Sequence, residues 1–190
     1  SCKEKTIKKS DLQLMNLKES VKCVKTTSYR AIEINGEITT GERGKRNAWE
    51  NDKITIFNSN GHIAEIQYFD KNDVLVGKVV VIFDEQGKPA EEQNYDIDGI
   101  IDFRRVFEYD KKGNKIVEKN FDPKGNLQFK ATSTFDKKGN EVESVWYNAD
   151  GSIDFNWVSE FDAKGNRVTM KRFDPEGELE AHFTFQYGPT

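Results

Sequence analysis

His62 and His182 are the only imidazoles in this chain of 190 residues. A metal centre or an activated nucleophile needs partners at defined spacing. Neither histidine has one nearby in sequence, so both read as surface residues. Asn94-Tyr95-Asp96-Ile97-Asp98-Gly99 has the opening of a calcium loop, but the twelfth position falls on Arg105, where a bidentate glutamate belongs. The basic stretch from Gly41 to Arg46, GERGKR, lacks the strand–loop–helix context and the Lys-Ser/Thr ending of a phosphate loop, and reads as solvated. The 33 Asp and Glu residues ensure some close carboxylate pairs, but no spacing singles one out. Cys2 and Cys23 form no CxxC pair. No catalytic, cofactor or metal site is expected, and the chain is not expected to be an enzyme.

The spacing that does stand out belongs to aromatics and glycines. Phe57, Phe69, Phe83, Tyr95, Tyr109, Phe121, Phe135, Tyr147, Phe161, Phe173 and Tyr187 are separated alternately by 12 and 14 residues, a 26-residue unit. Gly61, Gly87, Gly99, Gly113, Gly125, Gly139, Gly151, Gly165 and Gly177 each lie four residues after one of these aromatics. A tight hairpin loop needs one residue at positive φ, which glycine adopts at little cost. Asp73 is the exception, and aspartate tolerates that conformation better than most residues. The Asp or Asn after the aromatic can bond back onto the turn, and Pro123 and Pro175 stand where a type I turn favours proline.

Between turns the pattern has period two. Ile101, Phe103, Phe107 and Tyr109 share one parity, as do Leu127, Phe129 and Phe135, and Ile153, Phe155, Trp157 and Phe161. That is the signature of half-buried strands. The spacing predicts about thirteen strands from Cys23 to Tyr187. Two loop lengths remain open. A four-residue loop puts Val142 and Trp146 on the face of Phe129, and a three-residue loop with a glycine bulge puts Val145 and Tyr147 there. The four-residue loop gives the cleaner polar face and is preferred. The alternation of 12 and 14 staggers the meander, which predicts a strongly coiled open sheet or a wide barrel.

The N-terminal third differs. Ser10 with Gln13 can form a capping box, and Leu12, Met15 and Leu14 can make an amphipathic turn. The division expected is a tether and short helix over 1–20 and a single β-repeat domain over 21–190, regular over 57–187. The fold class is all-β. A net charge of -4 disfavours a nucleic-acid footprint. No apolar run reaches the roughly 18 residues of a membrane helix. Aromatics at 12% argue against disorder.

The phrases YDKKGN, FDPKGN, FDKKGN, YNADGS and FDAKGN, between Tyr109 and Asn166, resemble the YD (RHS-like) repeat. That resemblance covers about residues 57 to 187 and implies β-hairpin spirals of the kind found in bacterial toxins and cell-surface proteins. It brings no catalytic residues with it. The stretch LKESVKCVKTTSYRA from Leu17 resembles the start of repeat-bearing lipoproteins of Bacteroides-type bacteria. Ser1-Cys2 followed by a polar run resembles a lipoprotein processing junction, which implies a lipid at Cys2; a Cys2–Cys23 disulfide is the competing state.

The function expected is a non-catalytic cell-envelope binding or scaffold module, extracytoplasmic and without cofactor, whose partner is a protein, glycan or apolar ligand. The alternative is a carrier of an apolar small ligand or lipid in an aromatic-lined barrel or trough. Its apolar face would comprise Phe103, Phe129, Phe155, Trp157 and Phe183.

Overall fold

A computed structural model of the chain describes residues 9–43 and 52–188. Cys2 and the Gly44–Arg46 part of the basic loop lie outside the described residues. Fourteen strands and one short helix are found within them, against about thirteen strands expected. The chain forms two compact units, Ser1–Asp102 and Phe103–Thr190.

The first unit carries α1 (Asp11–Leu14), β1 (Cys23–Thr26), β2 (Tyr29–Ile34), β3 (Glu37–Arg43), β4 (Asp52–Phe57), β5 (Ile63–Phe69), β6 (Leu75–Phe83) and β7 (Pro89–Tyr95). Its main sheet is antiparallel, with β4 to β7 in sequence order and β1 against the outer side of β4. β2 and β3 form a separate hairpin across Asn35-Gly36, both at positive φ. The Ser10–Gln13 capping box is present at α1. Leu12 is buried, but Leu14 and Met15 are exposed. The helix caps the β4–β5 turn: Leu12 N–H donates to Gly61 O at 3.0 Å and Ile63 N–H to Asp11 Oδ2 at 2.8 Å.

The second unit begins within β8 (Ile101–Tyr109) and continues through β9 (Lys115–Phe121), β10 (Leu127–Phe135), β11 (Glu141–Asn148), β12 (Ile153–Phe161), β13 (Arg167–Phe173) and β14 (Leu179–Thr184). It is a plain antiparallel meander, each strand beside the next. Among the described residues the order of strands does not return on itself, so the barrel expected as one alternative does not close. β14 ends the meander at an edge, its tail held by Phe185 N–H on Val168 O and Tyr187 O–H on Arg167 O.

The turns settle the loop question in an unexpected way. At the β10–β11 joint, Asp136 N–H donates to Asn140 O and Gly139 N–H to Asp136 O, with Gly139 at φ 90°. That is a three-residue loop with a glycine bulge, not the preferred four-residue loop. The face that the four-residue loop assigns to Trp146 nevertheless holds, though Val142 does not pair. A second bulge follows at once: Phe135 opposes Glu141, but Thr134 opposes Glu143, leaving Val142 extra. Two one-residue offsets restore the alternation, so Ala131 opposes Trp146 and Trp146 shares the face of Phe129. The same second offset follows the turns after Phe57, Phe83, Tyr109 and Phe161.

Few side chains are fully buried. Among the described residues the buried hydrophobics are Leu12, Phe57, Phe107 and Ala131. Most strand positions in the second unit are half-buried instead. The apolar energy is therefore spread along the sheet faces.

Candidate functional site

Each DxxG turn is rigidified by its own aspartate. Asp136 Oδ1 accepts from Lys138 N–H at 2.8 Å and Asn140 N–H at 2.9 Å, and Oδ2 accepts from Asn140 Nδ2 at 2.9 Å. The Asn140 backbone N–H is the leading cause that holds the Asp136 carboxyl below its ordinary pKa, and Asn114 does the same for Asp110. For Asp122 and Asp162 the leading cause is the side-chain amide of Asn126 or Asn166; for Asp150 it is the Ser152 hydroxyl.

On these hinges the second unit presents two unlike faces. One carries ring–cation pairs on adjacent strands: Arg104 over Phe121 at 4.3 Å and Lys130 over Tyr147 at 5.4 Å. The other is aromatic. Trp146 packs between Phe129, at 5.2 Å between ring centroids, and Phe155, at 5.4 Å. Arg172 covers Phe155 at 4.3 Å. Trp157 and Phe183 lie 6.1 Å apart on the same face. Thus four of the five expected face residues meet in two groups. Phe103 does not join them, because Asn120 stands opposite Phe129 on β9 and ends the run of rings; Phe103 lies instead beside Arg105 at 5.9 Å. Of the expected face residues, Phe129 and Phe155 are joined through Trp146 of the strand between them.

Next to this stack the face is cut by a notch of about 390 Å³. Its origin is legible residue by residue. Phe107 is buried on β8, whereas Ser133 and Ser159, 26 and 52 residues further on, put hydroxyls at the matching places. Glu118 on β9 is matched by Ser144 on β11. Ser144 lies opposite Trp157, so the indole has only a small neighbour on that side. Trp146, Trp157 and Met170 supply apolar walls. Glu141 brings a carboxylate and Arg167 a guanidinium, while Glu143, opposite Thr134 and Val158, belongs by register to the other face. Glu141 accepts from the Ser133 hydroxyl at 2.5 Å. Arg167 makes only a 3.5 Å contact from Nη1 to Met170 Sδ and lies 5.6 Å from the Phe161 ring; its buried Nε has no hydrogen-bond partner. Ser159 is 8% exposed. Sequence reading missed this notch, although its signal was present as small residues breaking the repeat columns.

The first unit holds an ionic cluster that was also missed. Arg43 donates through Nε to Asp52 at 2.6 Å and through both Nη atoms to Asp73 at 2.9 and 2.6 Å. Ser28 N–H donates to Asp52, and Lys25 reaches Asp73 at 3.4 Å. Arg43, as hydrogen-bond donor, is the main cause that holds the Asp73 carboxyl well below the ordinary range. The hydrogen bond to Asp73, then that to Asp52, raises Arg43. The clue was Asp73 itself, at φ 62° where the other turns of this kind have glycine. His62 lies 3.4 Å from Asp11 and 6.0 Å from the Phe83 ring, while His182 is exposed on β14. Cys23 is exposed on β1. Among the described residues no helix is long and apolar enough to cross a membrane.

No protein-family model matches the chain, and no curated protein matches it in sequence. Among solved structures it is similar to a porin-like protein from Bacteroides uniformis, at 13% identity and a TM-score of 0.40 over 64% of this chain and 48% of that one. It is also similar to part of the Tc holotoxin pore of Photorhabdus luminescens, at 10% identity and a TM-score of 0.34 over 86% of this chain and 11% of that one. The chain thus spans about half the length of the first neighbour and a small part of the second.

Proposed function

We propose that this chain is a non-catalytic repeat protein of the bacterial cell envelope, attached through a lipid on Cys2, that acts as a binding module through the aromatic face of its second unit. On this reading the 26-residue unit is a structural repeat of the YD (RHS-like) kind. The observation that carries the binding reading is the uncovered aromatic face itself. Trp146, Trp157, Phe129 and Phe155 are only half-buried and Phe183 is 46% exposed, yet they cluster on one side of a sheet braced by its turns. Large exposed aromatic clusters on a rigid scaffold favour partners. The carrier alternative keeps only its open-trough form, since among the described residues the sheet does not close into a barrel.

Two experiments test the proposal. In its own host, the wild-type chain should sediment with membranes and carry acyl mass on Cys2, and Cys2→Ala should be released. An unmodified Cys2 in a soluble chain overturns the envelope reading. The purified chain should also co-sediment with envelope fragments of that host, and Trp157→Ala should lose this. Equal co-sedimentation of the two proteins overturns the binding face.

A further inference from the structure

We propose that the notch between Trp146, Trp157 and Arg167 is a binding site for a neutral saccharide; this rests on the binding-module reading and names its ligand class. At about 390 Å³ the notch falls within the range of ligand sites, about 300–1,000 Å³. The argument is from what each wall requires. A wholly apolar ligand would desolvate the Glu141 carboxylate and the Arg167 guanidinium without pairing either. An anion could pair with Arg167, but it would meet the Glu141 carboxylate on the same wall.

A sugar meets every requirement at once. Its hydroxyls both donate and accept, so Arg167 can donate to one while Glu141 and the serine oxygens accept from others. Its C–H face is apolar and suits an indole wall. Ser144 beside Trp157 leaves that wall accessible. The serines at 133, 144 and 159 make the space, where the matching places on β8 and β9 hold Phe107 and Glu118.

The test uses the whole chain and measures binding by titration calorimetry and tryptophan fluorescence. The probes are maltohexaose, cellohexaose, xylohexaose and mannohexaose, with hexagalacturonate as the anionic probe and Nile red as the apolar one. At least one neutral hexasaccharide should bind with a Kd below about 1 mM. Ser144→Met should weaken that binding at least about tenfold. Methionine should fit the strand, since Met170 occupies the matching place 26 residues on. If Ser144→Met does not fold, Arg167→Lys takes its place, keeping the charge while removing the forked guanidinium donors, and the same loss is expected. Neutral-sugar binding that neither substitution alters overturns the site. Preferential binding of hexagalacturonate or Nile red, lost on Ser144→Met, overturns the sugar and leaves the binding module standing. Binding of no probe overturns the sugar site, while the binding module is judged by co-sedimentation with envelope, which uses none of these probes.

Discussion

At Gly139 the backbone sits at φ 90°, while an added Cβ would meet nothing closer than 3.8 Å. The penalty for a side chain there is conformational, not steric crowding. Left-handed geometry costs an L-residue about 1–2 kcal/mol, and a β-branched one more. Gly139→Val should therefore lower stability by about 2 kcal/mol, and Lys137→Val, at an exposed turn position, by less than about 0.5 kcal/mol. Urea midpoints of the two variants check this. The turn aspartates predict an acid response. Asp110, Asp122, Asp136, Asp150 and Asp162 have folded pKa values below their unfolded ones. Their contribution is fully present above the unfolded value of about 3.9 and is lost as pH falls through the folded values. Stability should be flat from about pH 5 to 8 and fall below about pH 4, and replacing all five by Asn should flatten the fall. These features were legible in sequence because a positive-φ turn leaves a fixed mark, Asp-x-x-Gly. Asp73 was legible as an exception, but its partner Arg43 was not, since a contact 30 residues away leaves no local pattern.

Between turn and strand, the second bulge at Val142 decides which side chains meet. It places Trp146 between Phe129 and Phe155, so Trp146 loses two ring neighbours on truncation and Phe129 only one. A fully buried ring costs about 3–5 kcal/mol on truncation, and half-buried ones cost less. Phe129→Ala should cost about 2 kcal/mol and Trp146→Ala about 3 kcal/mol in the unfolding of the second unit. If instead Phe129→Ala costs more than Trp146→Ala, the stack is misassigned. In the first unit, Arg43 joins the end of β3 to Asp52 on β4 and to the β5–β6 turn at Asp73. Arg43→Ala should raise amide exchange in the β2–β3 hairpin and leave the second unit unchanged. The strands themselves were legible from period-two patterning. The bulge was not, because Ala64, Ala90, Ile116, Val142 and Val168 look like ordinary inward residues and only pairing shows them to be extra.

Over the whole molecule, sequence disclosed an all-β meander but not its ends. Closure depends on whether the first and last strands pair, and no local pattern records that. Nor did it disclose the notch, because Ser133, Ser144 and Ser159 read as polar strand positions until their neighbours are known. What sequence did place was the aromatic parity, which fixes Phe129, Phe155, Trp157 and Phe183 on one face. The central claim is that this face receives a ligand and the opposite face does not. Hydroxyl-radical footprinting tests it side chain by side chain, with and without envelope fragments from the host. The account predicts that Trp146, Trp157 and Met170 are protected from oxidation, while Tyr147 and Phe173 on the other face are unchanged. Unchanged oxidation of Trp157 and Met170, or protection of Tyr147 and Phe173 in their place, would contradict it.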